Sequence, residues 1–214
     1  MRKFVLLLLA FPLCVYAQDS RIPFTEKKTA VSINPLALIG IDFTVMAGFE
    51  HKLSSKLYMS NEAGYIFASQ YITDGESTSN GKGFIIRPSL KWFVAKDNKF
   101  YLQPQVFYKQ VTHKMYDWVG KNPVNGIPAY EQLEEFRYRR KITGFNIVAG
   151  SVLPLDWNGK GYIDVYIGLG VRNKKNKVVE SNTVYQRPTG IFNPTDEGVF
   201  PSVPMGVRFI YALN

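Results

Sequence analysis

Cysteine is all but absent from this chain: among 214 residues there is one, Cys14, and there are only two histidines, His51 and His113. That rules out a disulfide framework and leaves too few ligands for a zinc site of the His/Cys type. Long apolar runs are missing too. The one candidate, FVLLLLAFPLCV at 4–15, is shorter than the roughly 20 residues a membrane-spanning helix needs. Helix-like periodicity is unconvincing throughout, and acids are outnumbered, 17 Asp and Glu against 26 Lys and Arg.

The apolar run has a different reading. Arg2 and Lys3 precede it, and Val15-Tyr16-Ala17 follows with small residues flanking a cut after Ala17. Such an order describes an export leader over 1–17, removed on maturation. Removing Arg2 and Lys3 takes the formal charge from +9 to +7, since 1–17 contain no acid, and it removes Cys14 as well. A basic exported chain meets polyanionic glycan or lipid phosphate; nucleic acid is not expected as a partner.

What the chain does have is aromatics, 13 Tyr and 15 Phe with 3 Trp, together with 17 Gly and repeated period-two alternation. This combination favours an all-β protein. After a polar lead-in at 18–28, a first strand is expected over 29–38, interrupted by Pro35. At 41–50, Ile41, Phe43, Val45, Ala47 and Phe49 alternate with Asp42, Thr44, Met46, Gly48 and Glu50. Further strands are read at 57–68, 84–94, 100–110, 136–153, 162–171 and 203–213. The pair 84–94 and 100–110 forms a hairpin whose apolar sets share a face only if partners' numbers sum to an even value. That requires a turn with an odd number of residues, such as Lys96-Asp97-Asn98. Three long loops are expected at 69–82, 112–134 and 173–200. A bulge is expected between Phe136 and Ile142, where alternation blurs.

Eight antiparallel strands joined by alternating short and long connections close most simply into an up-and-down barrel, which leaves no edge. The polar parity is rich in Gly and carries charges of both signs: Asp42, Glu50, Glu62 and Asp164 against Arg87, Lys91, Lys109 and Arg208. Small residues and neutralising charges suit a narrow interior, and the almost uncharged apolar parity suits an outer surface in lipid. The expectation is therefore a transmembrane barrel over 29–214 with an ion-paired, plugged lumen rather than an ion path, because eight strands leave room only for side chains. Pro35, Pro88, Pro104 and Pro204 fall inside expected strands and count against a regular ladder.

The stretch NPLALIGIDFTVMAGFEHKLSSKLYMSNEAGYIF at 34–67 and the final MGVRFIYAL at 205–213 resemble small eight-stranded outer-membrane barrels of the OmpA-transmembrane-domain and OmpX type. They also resemble an uncharacterised outer-membrane barrel family known only as a domain of unknown function. The resemblance implies residence in the bacterial outer membrane, assembly by the barrel-insertion machinery, no cofactor and no catalytic residues. The chain ends Leu213-Asn214, with Tyr211 as its nearest aromatic, where those barrels end on an aromatic.

A second set of candidates is basic: Arg137, Arg139, Arg140 and Lys141 on one strand, and Arg172, Lys174, Lys175 and Lys177 on another, near the long-loop rim. These are expected to contact lipopolysaccharide phosphates, while the three long loops offer surface to an extracellular ligand. The resulting expectation is a monomeric, non-enzymatic surface or structural protein. Two alternatives stand beside it. One is a lipid A-modifying enzyme using His113 as base and Ser69 or Ser77 as nucleophile. The other is a secreted soluble barrel around an apolar ligand.

Overall fold

The computed structural model describes residues 23–38, 42–69, 71–73, 76–78, 81–94, 99–125, 127–155, 159–180, 183–184 and 197–213. The expected leader at 1–17, most of the expected lead-in and the expected turn Lys96-Asp97-Asn98 lie outside the described residues.

In chain order the strands are β1 (Thr29–Ile33), β2 (Asp42–Lys52), β3 (Leu57–Ser69), β4 (Tyr71–Thr73), β5 (Glu76–Thr78) and β6 (Lys82–Phe93). Then come β7 (Phe100–Lys121), β8 (Tyr130–Pro154), β9 (Gly161–Val178), β10 (Thr183–Val184), β11 (Gly198–Ser202) and β12 (Met205–Ala212). Among the described residues all pairings are antiparallel, and β4 pairs with β5 alone. β11 and β12 both pair with β9 in one unbroken register, Ser202 opposite Gly170 and Met205 opposite Ile167. They are therefore one strand interrupted at Val203-Pro204. Counted so, eight strands form an up-and-down ring that closes where β12 pairs with β1. Closure satisfies the ladder groups that an open sheet would leave bare at its edges.

The prolines are accommodated at specific breaks. Pro35 opens a 3-10 turn over Pro35–Leu38, so the first strand stops at Ile33 and not at Leu38. Pro88 and Pro104 flank the pair Ser89–Gln105, and the β6–β7 ladder lapses on either side of it because each ring withholds an N–H. The even-sum register of this hairpin is present, Ile86 opposite Tyr108 and Trp92 opposite Leu102. The expected bulge between Phe136 and Ile142 is absent, since β8 keeps one register with both neighbours. A shift occurs instead between Phe43 and Thr44.

The expected long loop 112–134 is largely strand, and the one at 173–200 begins and ends as strand. β7 and β8 remain paired from Phe100–Ser151 out to Lys121–Tyr130, so 112–134 is a projecting hairpin with its tip at 122–129. Asn122 and Asn125 take left-handed conformations there, φ 48° and 53°, which asparagine tolerates better than most residues. Likewise β9 continues to Val178 and β10 pairs with the outer end of β7. The reason is burial. Met115, Val119, Phe136 and Tyr138 pack together on the hairpin's inner face and give it a small core of its own.

Alternation along each strand decides the faces. Thr44, Met46 and Glu50 are buried inside the ring while Val45 and Phe49 are exposed outside it; Ser89, Lys91 and Phe93 are inside while Leu90 and Trp92 are outside. The polar parity therefore lies inward and the apolar parity outward. The outward apolar belt on β6 runs from Phe84 to Val94, ten residue steps of about 3.3 Å. At a strand tilt of about 40° this makes a band about 25 Å tall. Tyr65, Phe67 and Phe84 lie at its long-loop margin, and Trp92, Phe100 and Tyr211 at its short-turn margin.

Candidate functional site: the charged interior

The end of the ring nearest the short turns is closed by aromatics. Phe24, on a 3-10 turn (Phe24–Glu26), is 2% exposed and packs against Tyr58, Phe93 and Tyr162 at 5.1–6.1 Å between centroids. The Tyr58 hydroxyl donates to the carbonyls of Phe24 (3.1 Å) and Lys27 (2.6 Å), and Lys52 Nζ donates to that of Thr25. What reads in sequence as a polar lead-in is thus a stopper. No periodicity marks an isolated turn, so only Phe24, the one aromatic of the stretch 18–28, hinted at it.

Above this layer lies an ion network. Lys91 Nζ donates to Glu50 Oε1 (2.7 Å) and to Asp164 Oδ2 (3.0 Å), and its ammonium lies 4.7 Å from the Tyr101 ring centre. Arg208 donates through Nε to Glu62 Oε1 (3.0 Å) and through Nη1 to Asp164 Oδ2 (3.0 Å) and Gln103 Oε1 (3.3 Å), with its guanidinium 4.1 Å from the Tyr166 ring centre. The Tyr101 hydroxyl donates to the second Asp164 oxygen at 2.6 Å. Arg87 approaches Glu62 at 3.9 Å. Glu50, Lys91, Asp164 and Arg208 are fully buried, where an unpaired ion would cost several kcal/mol. Three carboxylates therefore face three cations, and the layer is neutral.

Glycine makes room for this layer. Tyr101 lies opposite Gly150 across the β7–β8 ladder, and Tyr166 opposite Gly206 across β9–β12. A Cβ at Gly150 would fall 2.3 Å from the Tyr101 hydroxyl, and one at Gly206 2.5 Å from that of Tyr166. The rings fold over bare backbone, which lets a narrow interior hold them beside the ions.

Nearer the long-loop mouth is a second cluster. Asp42 is paired with Lys109, accepts from Ser69 Oγ, and takes Arg140 Nη2 at 3.0 Å. Here two cations meet one carboxylate. His113, 1% exposed, lies with Ser69 about Gly81, where a Cβ would meet both side chains. His113 stands five residues beyond Tyr108, above the apolar belt. Burial, reinforced by the Arg140 guanidinium, pushes it down to about 4. Ser69 and His113, the nucleophile and base of the enzymatic alternative, are thus close together, though Ser69 gives its proton to Asp42. The Ser77 side chain is outside the described residues.

All eight residues of the expected interior network, Asp42, Glu50, Glu62, Arg87, Lys91, Lys109, Asp164 and Arg208, point into the ring, each in an ion pair with another of the eight. The basic rim set divides. Arg140 belongs inside, because β8 turns its even-numbered residues inward alongside Phe136 and Tyr138. Arg172 and Lys174 share the other face of β9 from Lys175 and Lys177, and Lys174 lies 5.8 Å from the Phe200 ring centre. Arg137, Arg139, Lys141, Lys175 and Lys177 remain on the outward face. Tyr101, Gln103 and Tyr166 were missed as interior partners, although their parity with Gln105 and Asp164 placed them there. No protein-family model matches the chain, and no curated protein matches it.

Proposed function

We propose that this chain is a bacterial outer-membrane β-barrel, exported by the leader at 1–17, with a plugged interior and a structural or surface-interaction role carried by its projecting strands and loops. The observation that carries the reading is inverted polarity: a closed ring with an apolar belt outside and ion pairs inside. A water-soluble barrel reverses this order. A belt of exposed Leu, Ile, Val and Phe running round the outside of the ring is not what a soluble monomer presents to water, and at a strand tilt of about 40° its height of about 25 Å matches a hydrocarbon slab. Aromatics at both margins suit the two interfaces. The finer likeness, to barrels of the OmpA and OmpX type, rests on the strand pattern and on the eight-membered ring.

The test is electrophoresis of the envelope fraction with and without boiling. A compact band that shifts on heating is the expected result. A chain that stays soluble without detergent and shows no shift would overturn the reading in favour of a soluble carrier of an apolar ligand. The lipid-modifying alternative is favoured by one observation, the proximity of Ser69 and His113 beside Gly81. Mass spectrometry of lipid A from cells with and without the protein tests it, and an altered acyl or phosphate pattern would support it.

A further inference from the structure

Across the outer face of β8 and β9, Arg139 stands directly opposite Lys177, and Lys141 directly opposite Lys175. Opposed side chains on adjacent strands have their Cβ atoms about 5 Å apart, and successive residues on one face lie about 7 Å apart. Four cations thus occupy the corners of a small rectangle, with like charge set against like on both rungs. Such rungs are destabilising in a sheet.

The flanking positions on β7 are neutral, Thr112 beside Arg139 and Gln110 beside Lys141. The next rung outward, Arg137 opposite Lys114, is also like-charged, but there the protein supplies the anions. Glu180 takes Arg137 Nε at 3.0 Å and Glu135 takes Lys114 Nζ at 3.2 Å. Glu197, at the edge of β11, accepts the Asn176 N–H at 2.6 Å. Among the described residues no carboxylate pairs with any of the four.

The location is as specific as the charge. Following β8 and β9 from the quartet toward the belt, the next outward pair is Thr143 and Asn173, and then Phe145 with Val171 and Ile147 with Leu169. The lowest rung stands four residue steps above Phe145. In a tilted strand that is about 10 Å above the apolar margin, at headgroup height. Cations there face the phosphates of the leaflet through which the strands emerge.

We propose that Arg139, Lys141, Lys175 and Lys177 form a binding site for the phosphate groups of a phosphorylated lipid in the outer leaflet. Lipopolysaccharide is the source to which the proposal commits. The inference rests on the membrane-barrel reading. Arg139 offers a planar fork to phosphate oxygens, and the three lysines act as point charges that neutralise the remainder. The external anion supplies the counter-charge that Glu180 and Glu135 supply one rung higher.

The test uses the full mature chain folded in uncharged detergent, with heat-shift electrophoresis run on the same sample. Binding of lipopolysaccharide is compared with that of the same lipid after enzymatic removal of its phosphates, and with inorganic phosphate. The variant R139Q/K141Q/K175Q/K177Q is set against K114Q, which removes an outward cation outside the quartet. The quadruple variant is expected to stay heat-modifiable and bind at least tenfold more weakly. K114Q should bind within twofold of the parent, dephosphorylated lipid should bind the parent as weakly as intact lipid binds the quadruple variant, and added salt should weaken the parent most. Unchanged binding by the quadruple variant, or equal binding of dephosphorylated lipid, overturns the site. Inorganic phosphate bound as tightly as the lipid overturns the lipid assignment. If the parent shows no heat shift, the barrel reading itself fails; a heat-modifiable parent that ignores the lipid sinks only this proposal.

Discussion

Inside the ring, charge meets its opposite; on the outer face of β8 and β9, it meets its like. Lys91 and Arg208 converge on Asp164 from two strands, and each has a second carboxylate of its own. Arg139 and Lys141 face lysines on β9 and neutral residues on β7. The difference lies in what surrounds each set. Buried ions can be stabilised only by groups the protein brings, so their number and placement are fixed by the fold. Ions at a surface can be completed by the medium, so the fold is free to leave them unmatched. Interior pairing thus reports on architecture, and exterior mismatch reports on environment.

The sharpest way to break the interior side is Arg208→Met. It keeps the bulk and removes the charge, leaving Glu62 without its bidentate partner and Asp164 with Lys91 as its one cation beside the Tyr101 hydroxyl. Breaking a buried pair from one side costs about 3–5 kcal/mol. The midpoint for urea unfolding in detergent, read by loss of the compact band, is expected to fall accordingly. Adding Glu62→Gln should recover part of the loss, because the stranded carboxylate is then gone. A midpoint unchanged in Arg208→Met would mean that water reaches the network.

Much of that network was legible from alternation alone. Once 41–50 and 162–171 are read as strands, Asp42, Glu50 and Asp164 fall on one face and the apolar set on the other, and closure decides which is inside. Which cation meets which carboxylate was not legible, because stagger between strands sets that pairing and no local pattern records stagger. Arg140 shows the limit most clearly. Beside Arg139 and Lys141 it looks like one more rim cation, yet its parity with Asn146 and Val148 turns it inward to Asp42. The projecting hairpin was hidden for a related reason. Pro123 and Pro128 do mark a tip, but Met115, Val119, Phe136 and Tyr138 make strand of the residues on either side only when they pack on one another. Phe24 closes the ring through contacts with residues far along the chain, and its neighbours carry no periodicity to announce it.

A second prediction probes the mouth, where the interior begins to carry excess positive charge. His113 is held neutral, pushed from 6.5 to about 4 by burial and by Arg140. A histidine depressed in the folded state contributes its full stability above pH 6.5 and loses it as pH falls toward 4, where the folded form must accept the proton. At about 1.4 kcal/mol per pH unit the loss over this window amounts to about 3 kcal/mol. The fall in unfolding midpoint between pH 7 and pH 4 is therefore expected to be steeper in the parent than in His113→Gln. Parallel profiles would show that His113 does not titrate in this way.

The smallest effect sharpens the exterior side. Lys175→Glu converts the rung with Lys141 from like to opposite charge, so in uncharged detergent the barrel should become slightly more stable, by a few tenths to about 1 kcal/mol. The sign matters more than the size. Replacing an interior cation destabilises whatever the solvent, because its partners are part of the protein. Replacing an exterior one stabilises only while nothing outside supplies the missing anion. The same midpoint measured after reconstitution with lipopolysaccharide should therefore reverse the order, with the parent above the variant. If Lys175→Glu is the more stable in both media, the like-charge rungs are merely tolerated. If it is the less stable in both, the rungs are already neutralised from within the protein.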